Sequence, residues 1–168
     1  MFQTLPQMLL NQAQKNPDFS AQFYKDAKGN FTPVTYAELS QSVLDMAAGL
    51  LSLGTQSGEH IGLIADNRKE WQIASMSIMS LGCADIPRGS EATVNDLSYI
   101  LNFAGCKTVF AETLTSLSKI AECISNLPEL KNIIVINQID SAKVPQSLSS
   151  INFYQFEEMI SAGKTYRE

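Results

Sequence analysis

The chain has 168 residues, with 12 Lys and Arg against 17 Asp and Glu for a formal net charge of -5. A hydrophobic share of 45% and a charged share of 17% fit one globular domain long enough to bury a core, and they exclude an intrinsically disordered chain. The acidic balance, without any cluster of Lys and Arg, excludes nucleic acid and an anionic membrane surface as partners, because neutralising phosphates needs several basic groups on one face.

No apolar run approaches the ~20 residues that span a bilayer. The opening MFQTLPQMLL lacks the charged start and cleavage site of a signal peptide, so the cytosol is the expected compartment. Cys83, Cys106 and Cys123 are an odd number without CxxC spacing, and His60 is the single histidine. Neither a disulfide framework nor a zinc site follows, and each cysteine reads as a small buried apolar residue. The Asn30 sequon carries no meaning in a cytosolic protein.

Residues 4–15 place Leu5, Met8, Leu9 and Ala13 on one helical stripe that packs on the domain, and Asn16-Pro17 stops the helix. Next, AQFYKD and NFTPV are short β-prone runs around Ala27-Lys28-Gly29, where glycine supplies the positive φ of a tight hairpin. This antiparallel pair is expected at the edge of the main sheet, where Pro33 is tolerated. Thr35-Tyr36-Ala37-Glu38 is a capping box flanked by Val34 and Leu39 as a hydrophobic staple. The helix it opens carries Leu39, Val43, Met46 and Leu50 on one face and ends at Leu53, with Gly54 as its left-handed cap.

From Glu59 to Thr93 the chain reads as one βαβ unit: a strand over Ile61 to Ile64, a polar turn, a helix from Asn67 to Leu81, a stop at Gly82, and a strand ending at Pro87. Apolar strand starts recur near residues 60, 84, 108 and 132, with helices opening at Asn67, Thr93 and near Thr113 and ending near Gly82, Gly105 and Asn126. A pitch of about 24 residues is that of strand-helix units with short loops. The segment from Asn137 to Ser150 is polar and reads as a long connection. A last strand in NFYQF and a short helix over Glu157 to Ala162 follow, with no closing element at Tyr166-Arg167-Glu168. The expected fold is α/β: one domain over residues 1–168, a mainly parallel sheet with helices on both faces, and a small N-terminal antiparallel hairpin.

The motifs point to scaffold rather than chemistry. The turn Ala65-Asp66-Asn67 has no glycine and puts a carboxylate where phosphate oxygens would sit, so it should not bind phosphate. Gly163-Lys164-Thr165 mimics the end of a P-loop, but position 158 is Glu158 rather than glycine, and a helix leads in. Asn67-Arg68-Lys69-Glu70-Trp71 is explained by Asn67 as N-cap, Glu70 in the first turn and a buried stripe of Trp71, Ala74, Ile78 and Leu81. Glu157 and Glu158 point to different sides of a helix and cannot act as an acid/base pair. His60 has no nucleophile beside it and reads as a rim residue.

Taken in order, Thr35-Tyr36-Ala37-Glu38-Leu39, Ala48-Gly49-Leu50 with Leu53-Gly54, Gly58-Glu59-His60-Ile61-Gly62-Leu63, Asn67-Arg68-Lys69-Glu70-Trp71, and Leu81-Gly82 through Asp85-Ile86-Pro87-Arg88-Gly89-Ser90 resemble the N-terminal part of the AMP-forming adenylating enzymes, the acyl-CoA synthetase superfamily. The likeness covers roughly residues 5–135 and tilts, in the Asp-Ile-Pro-Arg-Gly-Ser run, toward the long-chain fatty acid CoA ligases. It implies ATP- and Mg2+-dependent activation of a fatty acid to an acyl-adenylate, then attack by coenzyme A. The family's Lys-ended phosphate loop, its Tyr-Gly-x-Thr-Glu segment, its ribose-binding Asp and its C-terminal Lys are not in this sequence. No catalytic, cofactor-binding or metal residue is therefore carried over. The chain is expected to be the leading fragment, inert by itself, with the remainder of its own polypeptide as partner. Exposed strand edges and apolar faces would then favour self-association of the fragment. The resemblance leaves open a parent peripheral to the inner face of a membrane. Two alternatives also stay open: a stand-alone flavodoxin-like binding module, and an adenylating enzyme for a different carboxylic acid.

Overall fold

Four apolar runs of four or five residues, too short to bury much alone, become strands that share both their faces. In the computed structural model, which describes residues 4–26 and 28–168, they are β3 (His60–Ile64), β4 (Ala84–Arg88), β5 (Thr108–Ala111) and β6 (Asn132–Val135), and β7 (Asn152–Gln155) joins them. Met1 to Gln3 of the opening stretch and Ala27 of the expected hairpin connection lie outside the described residues. Among the described residues the five strands form one parallel sheet in the order β4-β3-β5-β6-β7.

Strand periodicity divides the core in two. Ile61, Leu63, Phe110 and Ile134 face one side, where they meet α1 (Leu5–Lys15), α2 (Tyr36–Ser52), α3 (Lys69–Ser80) and α6 (Phe156–Arg167). Ile64, Val109, Ala111, Ile133 and Val135 face the other, under α4 (Val94–Phe103), α5 (Leu114–Glu122) and the connection that follows β6. The strand starts, the parallel sheet and the helices on both faces all agree with the sequence reading.

Helix starts follow their caps. Thr35 Oγ1 accepts the Glu38 amide at 3.2 Å while Glu38 Oε2 accepts the Thr35 amide at 2.8 Å. Thr93 and Asp96 repeat the pair at 3.2 and 2.9 Å. Gly54, at φ +84, ends α2 in the left-handed conformation expected of it.

Several expectations are corrected. The hairpin of β1 (Ser20–Lys25) and β2 (Phe31–Thr35) is a separate two-stranded sheet rather than an edge of the main one. It hydrogen-bonds near α2 instead, through Tyr36 N–H to Phe19 O at 2.9 Å. On α1, Leu9 is buried but Leu5 and Met8 are 53% and 52% exposed, so the stripe is narrower than its spacing implied. Helix α3 starts at Lys69 with Arg68 in the cap position; Asn67 does not cap it. Strand β4 runs on through Arg88, past Pro87. Asn126 ends a short 3-10 turn, Ile124–Asn126, rather than α5. The connection from Asn137 holds 3-10 turns at Ser141–Lys143 and Gln146–Leu148, and its Leu148 is fully buried.

The chain also has a closing element. Helix α6 extends to Arg167 and lies on α2, where Gly163 faces the backbone of Asp45 and Gly49. A Cβ at Gly163 would overlap the Asp45 carbonyl, and one at Gly49 would overlap the Met159 carbonyl. Arg167 then pairs with the buried Asp45, which Gln41 Nε2 also meets at 2.9 Å.

At the far edge, Ala84 donates its N–H to Glu59 O and Arg88 O accepts from Ala65 N–H, both at 3.0 Å, so these residues turn their backbone groups toward β3. Pro87, one residue before Arg88, therefore turns its nitrogen outward, where a proline costs the ladder nothing.

The helix crossing gives a direct test. Gly163→Ala adds a methyl where only backbone fits, and urea unfolding should show a loss of about 1–3 kcal/mol or more. Asn67→Ala, which removes no cap, should stay within about 0.5 kcal/mol of the parent.

Candidate functional site

Parallel strands deliver their first polar residues to one edge of the sheet. After β3 come Asp66, Asn67 and Arg68; after β5 comes Glu112; after β6 comes Asn137. The chain lays β4 on one side of β3 and then returns to place β5 on the other. Such a reversal point, at the carboxyl ends of the strands, is where open α/β sheets hold ligands.

Here the reversal point is bridged from within. Glu112 Oε2 accepts the Asp66 N–H at 2.7 Å, and Glu112 Oε1 accepts Arg68 Nη1 at 3.0 Å. The same Nη1 donates to Asn137 Oδ1 at 2.7 Å, and Arg68 Nε donates to Glu70 Oε2 at 2.7 Å. One guanidinium thus ties together three strand ends and the first turn of α3. Partial burial opposes its charge, but the hydrogen bonds and charges of Glu70 and Glu112 outweigh this and raise its pKa.

A second tie lies beside it. Asp66 Oδ1 accepts the Ser90 N–H at 2.7 Å and Oδ2 the Ser90 hydroxyl at 2.6 Å. Lys119 of α5 donates to the carbonyls of Ser90 and Ala92, each at 2.7 Å. The hydroxyl and then the amide of Ser90 hold the Asp66 carboxyl below its ordinary value of 3.8. Asp66 is thus a loop staple, and its carboxylate makes the turn unsuited to a triphosphate. No three His, Cys, Asp or Glu side chains converge on a metal-sized site among the described residues.

Between the hairpin and the start of α3 lies an open cleft of about 910 Å³, floored by Arg68 and Glu112. Lys69 spans it, with Nζ 4.3 Å from the centroid of the Tyr24 ring, and Lys25 Nζ stands 5.4 Å from that of Phe31. Trp71, the only tryptophan, forms part of the wall.

The other candidates fall where scaffold residues belong. Gly163-Lys164-Thr165 lies inside α6, not in a loop. Glu158 Oε2 accepts the Gln155 N–H at 3.1 Å, which caps α6. His60 is exposed at the opposite end of β3, with Nδ1 2.9 Å from Ala104 O. All three cysteines are buried free thiols, and burial pushes Cys106 up to about 11. The sequence reading did not single out Glu112 or Asn137 as part of this edge. The available signal was positional: Glu112 and Asn137 are the first polar residues after buried apolar runs.

Comparison with known proteins matches residues 9–159 to the family model described as AMP-binding enzyme. The chain is 31% identical over 134 residues to the chloroplastic long-chain fatty acid:acyl-carrier-protein ligase AEE15 of Arabidopsis thaliana, covering 80% of this chain and 18% of that protein. It is 26% identical over 129 residues to the long-chain-fatty-acid–CoA ligase FadD15 of Mycobacterium tuberculosis, covering 77% of this chain and 21% of the relative. In fold it is similar to the anthranilate CoA ligase AuaEII in complex with anthranoyl-AMP, with a TM-score of 0.81 and 21% identity over 95% of this chain and 28% of that one. It is also similar to the acetoacetyl-CoA synthetase of Streptomyces lividans, with a TM-score of 0.75 and 20% identity over 94% of this chain and 25% of that one.

Two measurements check this edge. Because the folded pKa of Asp66 is lowered, its tie to Ser90 contributes stability above the unfolded value of 3.8 and loses it as pH falls through the folded value. Carboxyl-detected NMR should show Asp66 titrating below 3.8 in the native chain and closer to that value in a Ser90→Ala variant, which loses the hydroxyl but keeps the amide at position 90. Under native conditions at pH 8, a thiol-specific disulfide reagent should label Cys106 only after unfolding exposes it.

Proposed function

Given that the chain belongs to the AMP-binding enzyme family, we propose that residues 1–168 form one α/β domain, the leading part of a long-chain fatty acid CoA ligase. The ligase joins a fatty acid to coenzyme A at the expense of ATP. The carboxylate attacks the α-phosphate and diphosphate leaves; the thiol sulfur then attacks the acyl carbon and AMP leaves. Charge grows on the phosphate oxygens in the first step, so it needs amides and cations, with Mg2+, fixed around them.

The observation that carries this reading is the match to ligases named for long-chain fatty acids, at 31% and 26% identity. The acceptor follows the name of the second relative; the first is named for acyl carrier protein, and that thiol partner is the second reading. A flavodoxin-like module would share the strand order β4-β3-β5-β6-β7. What favours the ligase over it is the family match across residues 9–159.

The residues at the reversal point do not fit a triphosphate, since Asp66 stands in the turn with both oxygens engaged by Ser90. We assign none of the adenylation steps to them. Their role in this reading is to set the carboxyl edge of the sheet against which the remainder of the polypeptide docks. The chain therefore contributes a scaffold and is inert alone.

ATP/pyrophosphate exchange with palmitate tests both parts. The purified 168-residue chain should give no palmitate-dependent exchange, and a polypeptide extended to the length of the relatives should give it. Exchange by the short chain would overturn its inertness. Exchange by the long one with another acid but not with palmitate would overturn the substrate class.

A further inference from the structure

The β1–β2 hairpin stands apart from the main sheet, and two strands alone are marginal in water. Its register gives it two unlike faces. Gln22 and Tyr24 turn toward α3, where Tyr24 meets Lys69. Phe23 and Lys25 on β1 turn the other way, opposite Pro33 and Phe31 of β2. On that outer face Phe23 and Phe31 are 61% and 70% exposed.

The two edges of the hairpin also differ. Asp26 donates its N–H to Asn30 O at 2.9 Å, which makes these two a hydrogen-bonded pair. Alternation along the ladder makes Tyr24 and Thr32 the next such pair. Phe23, Lys25, Phe31 and Pro33 therefore point their backbone groups away from the facing strand, and among the described residues those of Phe23 and Lys25 meet no other partner. On β2 the outward row is interrupted, because Pro33 has no N–H. On β1 it is continuous. Lys25, the only charge on that strand, turns its ammonium across to the Phe31 ring and leaves the edge clear.

This free edge borders the cleft. Five consecutive residues, Gln22 to Asp26, line it, and neighbours from opposite faces of a strand share one cavity along the strand's edge. The charges in the cleft wall cancel, with Lys25, Arg68 and Lys69 against Asp26, Glu70 and Glu112. A balanced cleft beside a row of unpaired amides and carbonyls suits a neutral main chain, which brings both donors and acceptors.

We propose that the cleft takes an extended segment of the same polypeptide, from beyond residue 168, which pairs with β1 as the third strand of a second sheet. This rests on the ligase reading: the chain covers 18% and 21% of the two ligases it matches, so most of their length lies outside the matched part. The segment meets the outward N–H and C=O groups of Phe23 and Lys25 and lays apolar side chains beside Phe23 on the outer face. A second copy of the chain fits less well, because its own β1 edge is sunk beside its own α3.

The amides of Phe23 and Phe31 lie on opposite edges of the hairpin, so isotope-labelled phenylalanine reports on both by NMR. In the 168-residue chain both should exchange rapidly with deuterated water. In a polypeptide extended to the length of the relatives, Phe23 should slow by at least about a hundredfold, as an amide released only by sub-global opening does, while Phe31 stays fast. Lys25→Pro removes one outward N–H without touching a bond of the hairpin. It should leave the urea midpoint of the 168-residue chain unchanged and speed Phe23 exchange in the long polypeptide by about tenfold, the scale of one hydrogen bond.

Fast Phe23 exchange in the long polypeptide, protection of Phe31 in its place, or unchanged Phe23 protection in folded Lys25→Pro would each overturn the pairing. Protection in the short chain that grows with its concentration would assign the edge to a second copy and overturn the occupant. The palmitate assay reads the ligase assignment separately: activity with an unprotected Phe23 sinks the added strand alone, and protection without activity sinks the substrate class alone.

Discussion

A parallel sheet of four- and five-residue strands holds together only if both of its faces are kept from water. Each strand here has at most three side chains per face, so the central β3, β5 and β6 bury nearly every side chain on both, while the edge strand β4 stays partly exposed. Leu63, Val109, Phe110, Ile133 and Ile134 have no exposed surface at all. Burying a side chain of this kind contributes about 1.5–3 kcal/mol, which must offset the backbone entropy of the same residues. The even spacing of strands, the placing of helices on both faces and the buried Leu148 in an otherwise polar connection all follow from that requirement.

The same constraint concentrates charge. Strands that run in one direction bring their first polar residues to one edge, and here these include Asp66, Glu112 and Asn137. Carboxylates gathered in a partly buried place repel one another unless a cation shared between them intervenes. Arg68 is suited to this because a guanidinium offers donors in a rigid fork, so one side chain can serve Glu70, Glu112 and Asn137 together. A lysine at position 68 would present a point charge and could not reproduce that geometry.

How much was legible in the sequence depended on how local the cause was. The strand starts and the caps at Thr35, Thr93 and Thr113 are decided within a few residues, and they stand where the periodicity and the cap chemistry put them. Asn67 failed as a cap because its neighbour Arg68 is drawn inward by Glu112, 44 residues away, and this sets the backbone of the turn. The hairpin was assigned to the sheet edge because its strand propensity was visible and its docking surface was not. Gly163 resembled a fragment of a phosphate loop in one dimension; in three it is the missing side chain that lets α6 approach Asp45 and Gly49. The edge residues that bear on function, Glu112 and Asn137, carry no motif and gain meaning only through the partners the topology gives them.

The outward-facing nitrogen of Pro87 makes the sheet directional. A strand from another molecule that approached β4 would find the ladder interrupted halfway, with one of its own carbonyls left without a donor. Strand β7, built of Asn152, Phe153, Tyr154 and Gln155, carries no proline, charge or bulge to discourage pairing. Growth of the sheet, whether by more of the same polypeptide or by unwanted stacking of copies in a concentrated solution, is therefore open on the β7 flank and blocked on the β4 flank.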